Sequence, residues 1–332
     1  MKNSRTFMLS TTEALVASAI VAIGGIVWLV SRGISFPGVI VAPLCVATVL
    51  GALLILGIRE HLEALQQALI DKPRRVFVTV FALWGLYAIY TTATEAATLN
   101  AAIVIAVYLS LPFLLLKGAR GLKRGTWLDG VSILWIWLPI EFGLLRRFAA
   151  ASGANNGLQY AFAQGLAINM GLIAFAAWRR FPGIGYRLKF DRKSIATALL
   201  GFGMFALIAI PLGLAIAFIQ FRLEPSKLLI APAAFLGIFL TIAIPEELLF
   251  RGLIQNWLER VSARPILSLM LGSIIFGAAH LNNGPVVPNY PYFLMASIAG
   301  VFYGLVWQRT GSIAASAITH ALVDTIWSAA FR

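Results

Sequence analysis

Three short stretches in the last third of the chain carry ionisable residues at helical spacing. They are EELLFR (Glu246–Arg251), FGAAH (Phe276–His280) and HALVD (His320–Asp324). Glu246, Glu247, His280, His320 and Asp324 all fall within apolar runs. A charge at the centre of a membrane helix costs about 2.5–3.5 kcal/mol on insertion scales, so such residues mark a functional site by default. Their spacing separates their tasks. Glu247 and Arg251 are i and i+4 and can pair on one helix face with the acid N-terminal. Glu246 points about 100° away around the helix and stays free for other work. Phe276 lies one turn before His280, and His320 and Asp324 share a face one turn apart. Pro245 removes a backbone donor beside the glutamates and can open the helix there. A carboxylate shielded from bulk water is a useful general base, and an imidazole can position or polarise a water.

Depth gives an independent test. The turn that closes the glutamate-bearing run lies near Ser262–Arg264. Glu246 and His280 are roughly 16 and 17 residues from it, about 25 Å each at 1.5 Å per residue. His320 is about 10 residues beyond the Thr310–Gly311 turn, about 15 Å along its helix. With tilt absorbing the difference, both histidines and the glutamates can meet.

The elements that must position these residues are membrane helices. The chain has 332 residues, 60 % hydrophobic and 12 % charged, with a mean hydropathy of +0.87. A soluble domain needs far more surface charge than that. The pattern predicts an all-α polytopic helix bundle of about eleven spans, with eight to eleven compatible with the pattern. They fall near 12–31, 38–58, 76–92, 98–116, 129–145, 160–178, 195–219, 228–251, 265–281, 291–307 and 312–330. Small residues in GVFYG (Gly300, Gly304) and SIAASA (Ser312–Ala317) read as close helix packing. His61, between Glu60 and Glu63, reads as a solvated loop residue.

The net charge of +13 does not point to nucleic acid, because the basic residues sit in short segments between apolar runs. They gather on alternate segments: Lys2 and Arg5; Arg59, Lys72, Arg74 and Arg75; Lys117, Arg120, Lys123 and Arg124; then Arg179–Lys193. By the positive-inside rule this predicts a multi-pass plasma-membrane protein with its N-terminus inside and its C-terminus outside. The partners expected are membrane lipids and a substrate. The single Cys45 excludes an intrachain disulfide framework. The polar stretch Arg179–Ser194 divides the chain into N-terminal helices of no assigned chemistry (1–193) and a chemistry-bearing core (194–332).

Taken together, the three motifs resemble those of the CAAX protease and bacteriocin-processing (CPBP) family of intramembrane proteases, which read EExxxR, FxxxH and HxxxN/D in that order. The resemblance covers roughly residues 195–330. It implies a peptidase acting on a prenylated CAAX protein or on a bacterial peptide or membrane protein. It also implies a catalytic set of Glu246, Glu247, His280, His320 and Asp324, supported by Arg251 and Phe276. Glu246 would be the general base, with His280 holding the water. His320 and the residue four later would stabilise the oxyanion, and Glu247 and Arg251 would support the site.

Asp324 departs from the Asn that many members carry, and ionised Asp cannot donate to an oxyanion. It can instead orient His320 at its second nitrogen, be protonated, or serve a metal. Glu246, His280 and His320 are candidate zinc ligands, and a metal-free, glutamate-activated water is the equal alternative. The rival readings are a secondary transporter, which would need inverted repeats that the first half does not display, and a non-proteolytic scaffold or immunity protein.

Overall fold

A computed structural model of the chain describes residues 7–34, 36–119, 121–148 and 156–331. Lys2, Arg5 and Arg120, used in the charge argument, lie outside these residues. Among the described residues, nine helices are long and apolar enough to cross a bilayer. They are Thr11–Ser31, Gly38–Leu56, Arg75–Ala93, Leu99–Gly118, Gly157–Trp178, Arg192–Ala215, Pro225–Ser262, Tyr290–Thr310 and Ile313–Ala330. The strands described are the two-residue Phe7–Met8 and Lys189–Phe190, paired antiparallel. The protein is an all-α, multi-pass membrane protein.

Two of the eleven expected spans stop short. Trp127–Glu141 has 15 residues and Pro265–Ala278 has 14. At 1.5 Å per residue these reach about 22 and 21 Å, against a hydrocarbon core of about 30 Å. The first closes at Gly143, whose φ of +66° ends the helix. The second yields at Ala279 to a turn that holds His280. In compensation, the glutamate-bearing helix is far longer than expected, running 38 residues. The charged segment around His61 is also a helix, Arg59–Asp71, not a loop. Leu62, Leu65 and Leu69 turn one face inward, and the exposed His61 Nε2 lies 2.8 Å from Thr11 Oγ1.

By internal packing the chain forms two compact units, Leu9–Pro182 and Gly183–Arg332, the second including the strand Phe7–Met8. The N-terminal unit contains a buried ion pair that the sequence reading overlooked. Arg179 binds Asp129 through Nε (2.7 Å) and Nη2 (3.1 Å), with both side chains fully buried. The guanidinium also donates to the carbonyls of Ala119 and Lys123. Asp129 accepts in addition from the backbone N–H groups of Gly125 and Thr126, closing a capping box at the start of its helix.

In the C-terminal unit, the segment after Pro182 alternates. Ile184, Tyr186 and Leu188 are buried, whereas Arg187 and Lys189 face out. The Gly185 carbonyl accepts from Ile313 N–H at 3.0 Å, and a Cβ at Gly185 would collide with the carbonyl of Gly311. Asp191 then caps Arg192–Ala215 by accepting from Ser194 N–H at 2.9 Å. That bond holds its carboxyl below the usual carboxylate range. Four helices pack around the site: Pro225–Ser262, Pro265–Ala278, Tyr290–Thr310 and Ile313–Ala330. Gly300 lets Tyr290–Thr310 approach Pro265–Ala278 so closely that a Cβ there would lie 3.0 Å from Ser273 Cα.

Candidate active site

The long helix changes its winding around the glutamates. Phe239–Ala243 and Leu248–Gln255 are π-helical, and Ile244–Glu247 between them is α-helical with Pro245 in its first turn. Proline supplies no N–H, so regular i→i+4 bonding cannot pass through it; wider turns on either side accommodate the break. Such π-segments occur frequently at functional sites.

Glu247 and Arg251 face inward, fully buried, with Nε 3.1 Å from Oε2. This is the pairing that their spacing predicts. Glu247 is engaged further than the spacing reveals. Its Oε1 lies 2.9 Å from His320 Nδ1, and its Oε2 accepts from the Ser316 hydroxyl. Ser316 Oγ is also 2.9 Å from the Tyr303 carbonyl. The carboxylate therefore ties the glutamate helix to the last helix and fixes His320 with Nδ1 protonated.

Around this polar centre the aromatic rings form a frame. Phe276 carries the Arg251 guanidinium 4.6 Å above its ring centroid. It also meets His280 at 4.8 Å and His320 edge-on at 5.8 Å. Phe276 thus touches three members of the site, not His280 alone. Tyr303 stacks on the His320 ring at 4.7 Å and 15°, and Arg251 sits 5.5 Å from the Tyr303 centroid. The imidazole is held at its edge by Glu247 and across its face by Tyr303.

His280 lies just past the end of its helix rather than within it. Its Nδ1 is 2.8 Å from the Phe276 carbonyl oxygen. That carbonyl is one of the last of the helix, a group left without an intrahelical partner, and the imidazole caps it. Nδ1 must then carry the proton, leaving Nε2 as an acceptor. The stretch after it serves as a turn: Asn283 N–H bonds the His280 carbonyl, and Gly284 takes φ +97°.

The second nitrogen of His320 points toward the remaining acids. Nε2 is 3.4 Å from Asp324 Oδ2 and 3.9 Å from Glu246 Oε2. Both distances exceed the 2.7–2.9 Å of a charge-assisted hydrogen bond. Orientation of the ring therefore comes from Glu247 at Nδ1. Exposure separates the members into two halves. Glu247 and Arg251 are fully buried and His320 is 4 % exposed, whereas the side chains of Glu246 and Asp324 are 18 % and 31 % exposed. His280 is half-buried.

The residues do not fit a metal. Among the described residues no three His, Cys, Asp or Glu side chains converge as a ligand set. Glu246, His280 and His320 are thus not assembled as one.

Comparison with known proteins agrees with the motifs. Residues 227–326 match the family model of the type II CAAX prenyl endopeptidase, Rce1-like. The matched segment contains EELLFR, FGAAH and HALVD entire. No curated protein and no solved structure matches the chain. Over this segment the chain is similar to the type II CAAX prenyl endopeptidases, in keeping with the resemblance to the CPBP membrane proteases that the motifs suggest.

Proposed function

We propose that the protein is an endopeptidase that hydrolyses a peptide bond of a membrane-associated substrate with a water activated by Glu246. The observation that carries this reading is the division of the site. The partly exposed Glu246 and Asp324 flank the one free edge of an imidazole whose other edge and face are locked, and His280 packs on the same Phe276 ring as that imidazole.

In this mechanism water sits between Glu246 and the acceptor Nε2 of His280. Glu246 takes its proton as hydroxide attacks the scissile carbonyl carbon. The negative charge that develops on the carbonyl oxygen is met by Nε2–H of His320. That donor requires the doubly protonated ring, and a carboxylate stands at each of its edges. Glu246 then returns the proton to the leaving amine as the C–N bond breaks, so no proton is gained or lost overall. Glu247, Arg251 and Phe276 touch no reacting atom and act by position. Asp324 stands beside the oxyanion site and supports the positive charge on His320.

The family match supports a prenylated CAAX protein as the first candidate substrate, with a bacterial membrane peptide as the second. The distribution of Lys and Arg supports a plasma-membrane orientation with the Ala263 and Gly311 turns inside. The test uses purified protein in proteoliposomes with a prenylated CAAX reporter and a membrane-peptide library. Wild type should cleave at least one, and Glu246→Gln and His280→Ala should not. Equal cleavage by the variants, or none by wild type, refutes the assignment.

A further inference from the structure

The polar face of the glutamate helix does not stop at the site. Glu247, Arg251, Gln255 and Glu259 follow one another at intervals of four residues, through and beyond the π-helical segment. Glu259, with Asn256 and Arg260, lines a cavity of about 660 Å³ at the Ala263–Gly311 end of this unit. On this stripe stand two buried groups with polar atoms that the mechanism leaves unused. Gln255 is 1 % exposed, and among the described residues neither its Oε1 nor its Nε2 has a hydrogen-bond partner. Arg251 is fully buried, and its Nη1 is likewise without one.

The surrounding helices leave room for these side chains. A Cβ at Gly304 would lie 2.7 Å from Gln255 Oε1, and one at Gly272 would lie 3.2 Å from Gln255 Cβ. The carbonyl of Gly300, one turn before Gly304, faces Arg251 Nη2 at 3.4 Å. The glycines of GVFYG, which read as packing in the sequence, therefore clear the polar stripe. Buried amides are almost always satisfied, and where no protein group does so an ordered water does. A primary amide and a guanidinium N–H supply the two to four partners that such a water needs.

We propose that Gln255 and Arg251 hold buried water, a hydration site inside the membrane domain that supplies the hydrolytic water from the Glu259 cavity. The supply role rests on the protease reading; the water site does not. Hydrolysis consumes one water per turnover, and a buried water beside the site would be a standing source of it.

Radiolytic hydroxyl labelling tests the water site without reference to activity, because radicals formed from an ordered water mark the side chains beside it. Leu269 is 4 % exposed, and its Cδ1 borders the same Gly304 slot as the Gln255 amide. Wild type in micelles should be labelled at Leu269 despite this burial. Gln255→Met, which keeps the length and removes the amide, should lose that label. Gly272→Ala, whose methyl presses on Gln255 without removing it, should reduce it and serves if Gln255→Met does not fold. No label in wild type, or an unchanged label in both variants, overturns the proposal.

On a cleaved substrate, Gln255→Met should lower kcat about tenfold, the scale of one lost hydrogen bond to water, with KM unchanged. A misfit amide with no water would give the opposite result: greater thermal stability and unaltered kcat. That outcome overturns the supply role even if the label is lost.

Discussion

Arg251→Met together with Glu247→Gln gives the sharpest test of how the buried half of the site is held. The guanidinium and the carboxylate are both fully buried, 3.1 Å apart. Methionine in place of Arg251 leaves the Glu247 charge without its cation, and breaking a buried pair this way costs about 3–5 kcal/mol. It also removes the cation from the Phe276 face, where 4.6 Å separates Arg251 Cζ from the ring centroid. That contact contributes about 0.5–2 kcal/mol. The single variant should therefore lose about 3.5–7 kcal/mol in an SDS titration of mixed micelles followed by circular dichroism. Glu247→Gln removes the charge while its amide oxygen can still accept from His320 Nδ1 at the present 2.9 Å. Combined with Arg251→Met it should recover at least about 2 kcal/mol, because no uncompensated charge remains. A double variant as unstable as the sum of the two singles would refute the pairing as the reason these groups are tolerated.

The same reasoning extends to three other positions. Asp129→Ala should destabilise the N-terminal unit by about 3–5 kcal/mol, since it strands the fully buried Arg179; a loss under about 1 kcal/mol in the same titration contradicts the structural role. Ser316→Ala removes a donor to the Glu247 carboxylate and should cost about 1.5–3 kcal/mol. Its effect on cleavage should fall on kcat rather than KM, which steady-state kinetics will reveal. Asp324→Asn should keep cleavage within about tenfold of wild type, because an amide can itself donate to the oxyanion. A complete loss would mean that the carboxylate takes part directly.

The chemistry was more legible in the sequence than its support. Ionisable residues in apolar spans stand out, and the i, i+4 spacing correctly paired Glu247 with Arg251. Single-helix spacing cannot reveal what a side chain meets on another helix, so the His320–Glu247 contact stayed hidden. Ser316 lay within a stretch read as small-residue packing, yet it precedes His320 by one turn on the same face, a signal that was available. Asp129 was passed over because it begins a helix, where an acid usually caps and faces water; here it caps and is buried at once. The end of the helix before His280 was also missed. Gly277 lies inside the helix and not beyond its end, and the cap is the histidine itself.

The central claim is that Glu246 activates a water that ends up in the product. Cleavage of a reporter peptide in 18O-labelled water, read by mass spectrometry, tests it most directly. The account predicts two fragments whose masses sum to substrate plus one water, with one 18O in the new C-terminal carboxyl group. It predicts no fragments from Glu246→Gln. Labelled product formed at an undiminished rate by Glu246→Gln would contradict it.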